Sequence, residues 1–321
     1  MPLFFWLIFL FAPPLGAPPL AAQEPGPELI LRAYQHCYPE KAGEPVWRNG
    51  DWTITVGAET FYWAGGRLLP ASRREEPENW PPHLWAVYPG EVPAPELYSP
   101  GYIEALRIQG SAEAENRKDQ HRDFQAALYG GRTRREIEAL LIRMEFLGKR
   151  IVVHRDIADP LKRVEASIRE AARRDRETAA FIDAAGQVGA YNWRQIRGSS
   201  RMSYHSWGLA VDILPKDTRG KGIYWLWERS LGENWMLLPL ERRWNPPDRV
   251  IAAFENEGFI WGGKWPLYDN MHFEYRPELH EINRLLAADG EGALSPSTAP
   301  PETGPDLHHL YPAFDSRPAP R

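Results

Sequence analysis

The alternation of apolar and polar residues changes along the chain and divides it into segments with different predicted structures. The first residues, MPLFFWLIFLFAPPLGAPPLAAQ, contain an uninterrupted apolar run from Pro2 to Ala12. Further on, DWTITVGAETFYWAGGRLLP alternates apolar and polar positions, with turn signals at Gly57 and at Gly65 and Gly66. This two-residue period predicts a β-hairpin.

A helical period predominates from about residue 112 to residue 184. Thr133 and Glu136 have the spacing of a capping box, which marks the start of a helix. The apolar stripe that follows at helical spacing consists of Ile137, Leu140, Leu141, Met144 and Leu147. We therefore predict a helix through this stripe, then a short strand in KRIVVH and a further helix that begins at Asp159 and Pro160.

From residue 189 onward the pattern becomes that of short strands. The candidate strands are GAYNWR, LAVDIL, GFIWGG and MHFEYR, and a helix begun by Asn245 and Pro246 precedes the third. These elements predict an α+β fold, in which a small antiparallel sheet has helices packed on one side. The hairpin belongs to an N-terminal extension of this fold.

The patterns divide the chain into a signal peptide over residues 1–22, an extension over 23–110, a main domain over 111–287 and a disordered tail over 288–321. The first apolar run has the length of a secretory signal and is too short to span a bilayer, although no Lys or Arg precedes it. The tail is rich in Pro, Ser and Thr. We expect an exported protein, periplasmic or associated with the cell envelope; the alternative is an uncleaved signal anchor.

Composition excludes several classes of protein. The net charge of the 321 residues is -5, so the sequence does not predict nucleic-acid binding through a basic face. The single cysteine, Cys37, can form neither an internal disulfide nor a cysteine-built zinc site. The chain contains no G-x-S-x-G, H-E-x-x-H or S-x-x-K motif, which excludes the hydrolases that depend on them.

An aspartate in an apolar strand is the first sign of a functional site. Asp212 lies inside LAVDIL, where an unpaired carboxylate would cost several kcal/mol to desolvate. Strand alternation places Ala210 and Asp212 on one face, and it places His272 and Glu274 of HFEY on one face as well. Gly208 permits the tight path that returns His205 toward Asp212.

Two histidine nitrogens and a carboxylate oxygen form a typical zinc-binding set with an open fourth position. We therefore predict one Zn²⁺ bound by His205, Asp212 and His272. Asp269, three residues before His272, is placed to act as general base toward a zinc-activated water. The alternatives are a structural ion pair for Asp212 and satisfied core histidines. Glu274 is either a partner of a metal ligand or an ordinary sheet residue.

The motif SYHSWGLAVD resembles, at every fixed position, the pattern S-x-H-x-x-G-x-A-x-D of the M15 family of zinc peptidases. This family comprises D-alanyl-D-alanine carboxypeptidases, D-Ala-D-Ala dipeptidases and phage L-alanyl-D-glutamate endolysins. The stretch DNMHFE, after FIWGGKW, is similar to the second family element, an acidic residue three positions before a histidine. The resemblance covers about residues 185 to 280 and implies the same three zinc ligands, with Asp269 as the base.

The resemblance also implies an arginine upstream of the first histidine, which would hold the developing oxyanion or a substrate carboxylate. Arg194 is the best match, and Arg197 and Arg201 are the other candidates. Ser203 is expected to orient the site by hydrogen bonding rather than to act as a nucleophile. Many relatives use glutamate as the base, and the shorter aspartate occurs in the endolysin-like branch, so the base does not identify the substrate.

Together these features predict an exported zinc metallopeptidase that hydrolyses the stem peptide of peptidoglycan, similar to a D-Ala-D-Ala carboxypeptidase. The alternatives are an L-alanyl-D-glutamate-type endopeptidase and a non-catalytic, zinc-containing module that binds the cell wall. The long segment over 216–247, between the two halves of the motif, is expected to decide which bond is cut. Three nearby tryptophans belong either to the core or to a substrate groove: Trp207, Trp261 and Trp265.

Overall fold

The computed structural model of the chain describes residues 25–83, 88–110, 121–194, 202–232 and 234–288. The predicted signal peptide and all but the first residue of the predicted tail lie outside these ranges. Within them, no helix combines the length and the apolar character that a membrane crossing requires.

Helices and short strands alternate along the described chain. The helices are α1 (Pro27–Cys37), α2 (Pro100–Gln109), α3 (Asp123–Tyr129), α4 (Arg134–Glu138), α5 (Ala158–Ala172), α6 (Arg176–Ala184), α7 (Trp225–Arg229), α8 (Asp248–Glu255) and α9 (Pro277–Ala288). The strands are β1 (Val46–Arg48), β2 (Asp51–Val56), β3 (Glu59–Tyr62), β4 (Leu69–Pro70), β5 (Leu141–Phe146), β6 (Lys149–His154), β7 (Ala185–Gly189), β8 (Ala210–Pro215), β9 (Phe259–Trp261) and β10 (His272–Tyr275).

The strands form three small antiparallel sheets, with the orders β1-β2-β3-β4, β5-β6 and β7-β8-β10-β9. This mixture of helices and antiparallel sheets confirms the predicted α+β fold. The third sheet holds the two central strands β8 and β10, each of which is paired on both sides. Paired backbone groups on both edges make these strands a rigid support for side chains.

Several predicted elements occur where the sequence pattern placed them. The hairpin is β2 and β3, which turn at Gly57 with a left-handed φ of 61°. KRIVVH is β6, and the helix predicted at Asp159 and Pro160 is α5. The helix predicted from Asn245 starts slightly later, as α8.

The helix predicted through the stripe from Ile137 to Leu147 is wrong beyond Glu138. The capping box of Thr133 and Glu136 is present, but α4 is only one turn long. Leu141 and Met144 of the stripe lie in β5, which pairs with β6 across the turn at Leu147 and Gly148. Both turn residues have positive φ, 49° and 72°, as the type I′ turn of a tight hairpin requires. Pairing with β6 therefore overrides the helical spacing of the stripe.

The strand predicted in GAYNWR is also wrong, since β7 ends at Gly189. The next residues turn away from the sheet and bind the turn around His205. The Ala190 carbonyl accepts from His205 Nδ1, and Asn192 N donates to the His205 carbonyl. Backbone groups that would extend the sheet are thus used to support a site residue.

One continuous hydrophobic core connects the N-terminal extension to the strands of the third sheet. It includes Ile30 and Leu31 of α1, Phe273 of β10 and Leu279 of α9. Helix α1 packs against α9, which directly follows β10. The N-terminal extension therefore contacts the element that continues from one of the central strands. The domain boundaries stated above stay predictions.

Candidate metal centre

The first ligand candidate, His205, lies in a single 3₁₀ turn over Tyr204–Trp207. Ser203 Oγ accepts from His205 N at 3.3 Å and begins the turn, and Gly208 ends it with a left-handed φ of 68°. His205 Nδ1 lies 2.5 Å from the Ala190 carbonyl. Because a carbonyl only accepts, Nδ1 is the protonated nitrogen and Nε2 presents its lone pair.

Pairing of β8 with β10 brings the other two candidates together. In this register Asp212 lies opposite His272, and Ala210 lies opposite Glu274, so all four side chains share one face of the sheet. His272 Nδ1 is 2.9 Å from Asp212 Oδ1. His205 Nε2 is 3.1 Å from Asp212 Oδ2 and 3.3 Å from His272 Nδ1. The side chains of all three residues are buried, with 2% of each exposed to solvent.

The donor atoms of this cluster fit a cation. One ligand atom from each of His205, Asp212 and His272 lies within 4.8 Å of the others. With its proton on Nδ1, His205 offers only a lone pair to Asp212 Oδ2, and this oxygen makes no hydrogen bond among the described residues. Electron pairs that converge at such short range repel each other unless a positive charge lies between them. A metal ion bound by these three atoms would supply that charge.

The electrostatics of the cluster indicate the same demand for positive charge. Burial raises the pKa of Asp212, but the imidazoles of His205 and His272 lower it by more. The net pKa of Asp212 therefore lies well below its ordinary value. Burial lowers the pKa of His272, yet hydrogen bonds with Asp212 and Glu274 raise it to about 10. Both shifts favour additional positive charge at this buried point, and a divalent cation would supply such charge.

Asp269 lies beside the cluster with its carboxylate buried. Neither oxygen has a side-chain hydrogen-bond partner within the described part of the chain. Its backbone is fixed: Asp269 N donates to Gly262 O at 3.0 Å, and Asp269 O accepts from His272 N at 3.1 Å. Burial raises the pKa of Asp269 well above its usual range, against the opposing charges of His272 and Arg194.

The positive charge of Arg194 acts to lower the pKa of the Asp269 carboxylate. The backbone of Arg194 is held by Ser206, whose Oγ accepts from Arg194 N at 3.1 Å and donates to Arg194 O at 2.7 Å. Arg194 is therefore tied to the turn that carries His205. Arg197 and Arg201, the other two arginine candidates, lie outside the described residues.

The three tryptophans near the motif are core residues. Trp207, Trp261 and Trp265 are all buried. The Trp265 ring lies 5.4 Å from the His272 ring, and Trp261 Nε1 donates to Asn270 O at 2.9 Å. Trp265 therefore packs against the candidate cluster, and Trp261 holds the backbone of the residue after Asp269. Burial of all three side chains favours the core interpretation over a substrate groove.

Sequence reasoning missed two residues that fix the site. Ser206 ties the His205 turn to Arg194, and the Ala190 carbonyl selects the nitrogen that His205 presents. A backbone carbonyl has no sequence signature, so Ala190 could not be found from the sequence pattern. Ser206 lies inside the motif, but only the fold shows which carbonyls it contacts.

Replacing Gly208 with alanine is expected to destabilise the protein by about 3 kcal/mol. The left-handed φ strains any L-residue, and a Cβ here would lie 2.7 Å from His154 N and 2.8 Å from Leu141 Cδ2. Gly148→Ala is the matched control, with a φ of 72° and open space around the added carbon. It should lose only the backbone strain, about 1 kcal/mol. Equal losses in urea unfolding would contradict the close packing at Gly208.

Comparison with known families agrees with the motif. Residues 197–275 match the family model described as D-alanyl-D-alanine carboxypeptidase, of the M15 peptidases. This confirms the resemblance seen in the sequence, and the matched range contains His205, Asp212, Asp269 and His272. Residues 30–84 match a domain of unknown function (DUF8518). No solved structure matches the chain.

Proposed function

We propose that the protein is a zinc metallopeptidase that hydrolyses the stem peptide of peptidoglycan, because residues 197–275 match the family model described as D-alanyl-D-alanine carboxypeptidase. The observation that carries the proposal is the convergence of His205, Asp212 and His272 on one buried point. Two imidazoles and one carboxylate form the donor set of catalytic zinc sites, which keep a fourth position open.

Each proposed ligand presents a defined atom. The carbonyl of Ala190 occupies His205 Nδ1, so Nε2 would bind the metal. The carboxylate of Glu274 lies 3.1 Å from His272 Nε2, so His272 Nδ1 would bind the metal. The central pairing of β8 with β10 holds Asp212 between them. Such second contacts fix the ring orientation and the tautomer of metal-binding histidines.

The neighbouring residues supply the proton transfers of peptide hydrolysis. Bound zinc would polarise the scissile carbonyl and activate a water molecule. Asp269 would take a proton from the attacking water and deliver it to the nitrogen of the leaving amine as the C–N bond breaks. A pKa raised by burial makes this carboxylate a stronger base than an exposed aspartate. Arg194, near Asp269, would stabilise the oxyanion that develops on the carbonyl.

We propose carboxypeptidase action as the first candidate, which the description of the matching family supports. Two residues of the segment over 216–247 contact the loop that carries the proposed base. Tyr224 forms a β-bridge with Asp269. Trp225 N donates to Tyr268 O. This segment therefore lies against the proposed base and would bound the substrate site there. An aspartate as base, typical of the endolysin-like branch, favours L-alanyl-D-glutamate endopeptidase action as the second candidate.

The proposed substrate lies outside the cytoplasm, and the apolar N-terminus supports export. We propose that residues 1–22 direct the protein to the periplasm or the cell envelope. There the stem peptide would be its partner, in keeping with the mild net charge of -5.

Removal and return of zinc tests the proposal. The purified protein is expected to bind about one zinc ion. Treatment with a chelator should lower cleavage of a defined muropeptide by at least about 100-fold, because the open metal site activates water and carbonyl together. Added zinc should restore cleavage. Mass spectrometry of the products separates loss of a terminal D-Ala from cleavage between L-Ala and D-Glu.

Two outcomes would contradict the proposal in different ways. Full cleavage by metal-free protein would remove zinc from the mechanism. One bound zinc without cleavage of any stem peptide would instead support the non-catalytic module that binds the cell wall.

A further inference from the structure

We propose that Glu274 is a positioning residue for His272, and that a buried chain of charges anchors it to helix α1. The chain of charges consists of Glu274, Arg276 and Glu278, and it ends on Tyr38. It gives the N-terminal segment, which matches a domain of unknown function, a role in shaping the metal centre. The inference rests on the proposed binding of zinc by His272.

The first link joins the carboxylate of Glu274 to the ligand ring. Glu274 Oε2 lies 3.1 Å from His272 Nε2, on the side of the imidazole opposite to Asp212. The two residues are neighbours on the same face of β10, and Glu274 is fully buried. A carboxylate on Nε2 holds the proton there and directs the lone pair of Nδ1 toward the metal.

The second link is Arg276, which holds Glu274 in place. Arg276 Nη1 lies 3.3 Å from Glu274 Oε1, and its Nε donates to Glu278 Oε1. His272 and Glu274 lie at alternate positions of β10, Arg276 follows the strand two residues after Glu274, and Glu278 lies in the first turn of α9. The guanidinium therefore contacts two buried carboxylates and offsets part of their charge.

Arg276 also contacts the element that carries the other histidine. Its guanidinium carbon lies 5.0 Å from the centre of the Tyr204 ring, within cation–π range. Tyr204 opens the 3₁₀ turn and directly precedes His205. One buried arginine thus connects the strand of His272 with the turn of His205.

The last link reaches the N-terminal extension. Tyr38, at the end of α1, donates its hydroxyl to Glu278 Oε2 at 3.1 Å. Tyr34, one turn earlier, has a pKa raised by burial and by Glu278, and lowered in part by Arg276. Both tyrosines lie within the range that matches the domain of unknown function. Helix α1 therefore supports the far end of the chain of charges.

The burial of these charges argues against a purely structural role. Glu274 and Glu278 are 0% exposed and Arg276 is 5% exposed. Desolvation of three charges is costly, and apolar residues of similar volume often replace buried ion pairs without loss of stability. A fixed carboxylate against a metal-binding imidazole cannot be replaced in this way.

The test measures zinc affinity by competition with a chromogenic chelator. Glu274→Gln is expected to weaken zinc binding by about 10-fold or more, the range typical of such outer partners. Glutamine has one acceptor oxygen, so it cannot serve His272 and Arg276 together. In metal-free protein, the ¹⁵N resonance of His272 Nε2 should also shift, which a residue that acts only in folding would not cause.

Tyr38→Phe tests the distant end of the chain of charges. It should weaken zinc binding by about threefold, and the double variant with Glu274→Gln should be no weaker than Glu274→Gln alone, since both act through one path. The control is Tyr62→Phe, which removes another buried tyrosine hydroxyl of the N-terminal extension, one that accepts from Asn49 Nδ2 at 3.4 Å. This control should leave zinc affinity unchanged, and thermal melting of all variants shows that they fold.

Failure of this inference differs from failure of the proposed function. If the wild-type protein cleaves stem peptide and Glu274→Gln binds zinc as tightly as the wild type, only the positioning role is overturned. Zinc binding without cleavage overturns the peptidase, while a weaker affinity of Glu274→Gln still supports the positioning role. Equal effects of Tyr38→Phe and Tyr62→Phe would remove helix α1 from the proposal. No zinc binding by the wild type overturns both.

Discussion

Replacing Asp269 with asparagine is expected to lower the turnover of stem peptide by a factor on the order of 10³ while zinc stays bound. The amide has nearly the same shape as the carboxylate but cannot accept the proton of the attacking water. The three proposed ligands are unchanged, so the metal content should match that of the wild type. Steady-state cleavage of a muropeptide and metal analysis of the same sample measure both effects.

This variant should also fold at least as stably as the wild type. Asp269 is buried, and its oxygens have no side-chain hydrogen-bond partner among the described residues, so the substitution breaks no side-chain hydrogen bond there. Burial disfavours the charged carboxylate, and asparagine removes that charge. A melting temperature equal to or above that of the wild type would therefore accompany the loss of turnover.

Asp175→Asn is the matched control for this change. Asp175 caps helix α6 by accepting from Thr178 N at 3.0 Å, and asparagine caps helices nearly as well. Turnover and stability of the control should stay at the wild-type level. Wild-type turnover in Asp269→Asn would remove this residue from the mechanism and leave the base to be sought elsewhere.

Replacing His205 with alanine is expected to abolish stoichiometric zinc binding and, with it, measurable turnover. The substitution leaves two of the three proposed protein ligands, and a two-ligand site does not hold zinc in competition with a chelator. We expect a loss of turnover on the order of 10³ or more, because the metal contributes both water activation and carbonyl polarisation. Metal analysis after dialysis, followed by a cleavage assay, measures both.

His280→Ala controls for the loss of a histidine that bonds to the backbone. His280 Nε2 lies 2.7 Å from Phe259 O, a contact comparable to that of His205 with Ala190 O. The control should keep its zinc and its turnover. Full zinc content in His205→Ala would show that the cluster is not the metal site, whatever the activity of the variant.

The sequence alone named the three residues that converge in the candidate metal centre. Motif spacing singled out His205, Asp212, Asp269 and His272, and the two-residue period of strands placed the side chains of Asp212 and His272 on faces that could meet. These inferences depend on local geometry, in which the direction of a side chain follows from its position along a strand. The α+β fold class followed from the same periodicities.

Local patterns failed where distant segments compete for the same backbone. The stripe after Thr133 has helical spacing, yet its residues pair with β6 because the turn at Leu147 and Gly148 closes a hairpin. The segment after Gly189 has the composition of a strand, yet its carbonyl at Ala190 binds His205. Nothing within either segment specifies the partner that decides its structure.

Only the tertiary structure decided which atom each histidine presents and what supports it. His205 is oriented by the carbonyl of Ala190, 15 residues away along the chain. Tyr38 donates to the carboxylate of Glu278, 240 residues away, close to the strand that carries His272. The identity of a residue states which chemistry its side chain can perform. Orientation and protonation depend on contacts between segments that meet only when the core closes, so they follow from the fold as a whole.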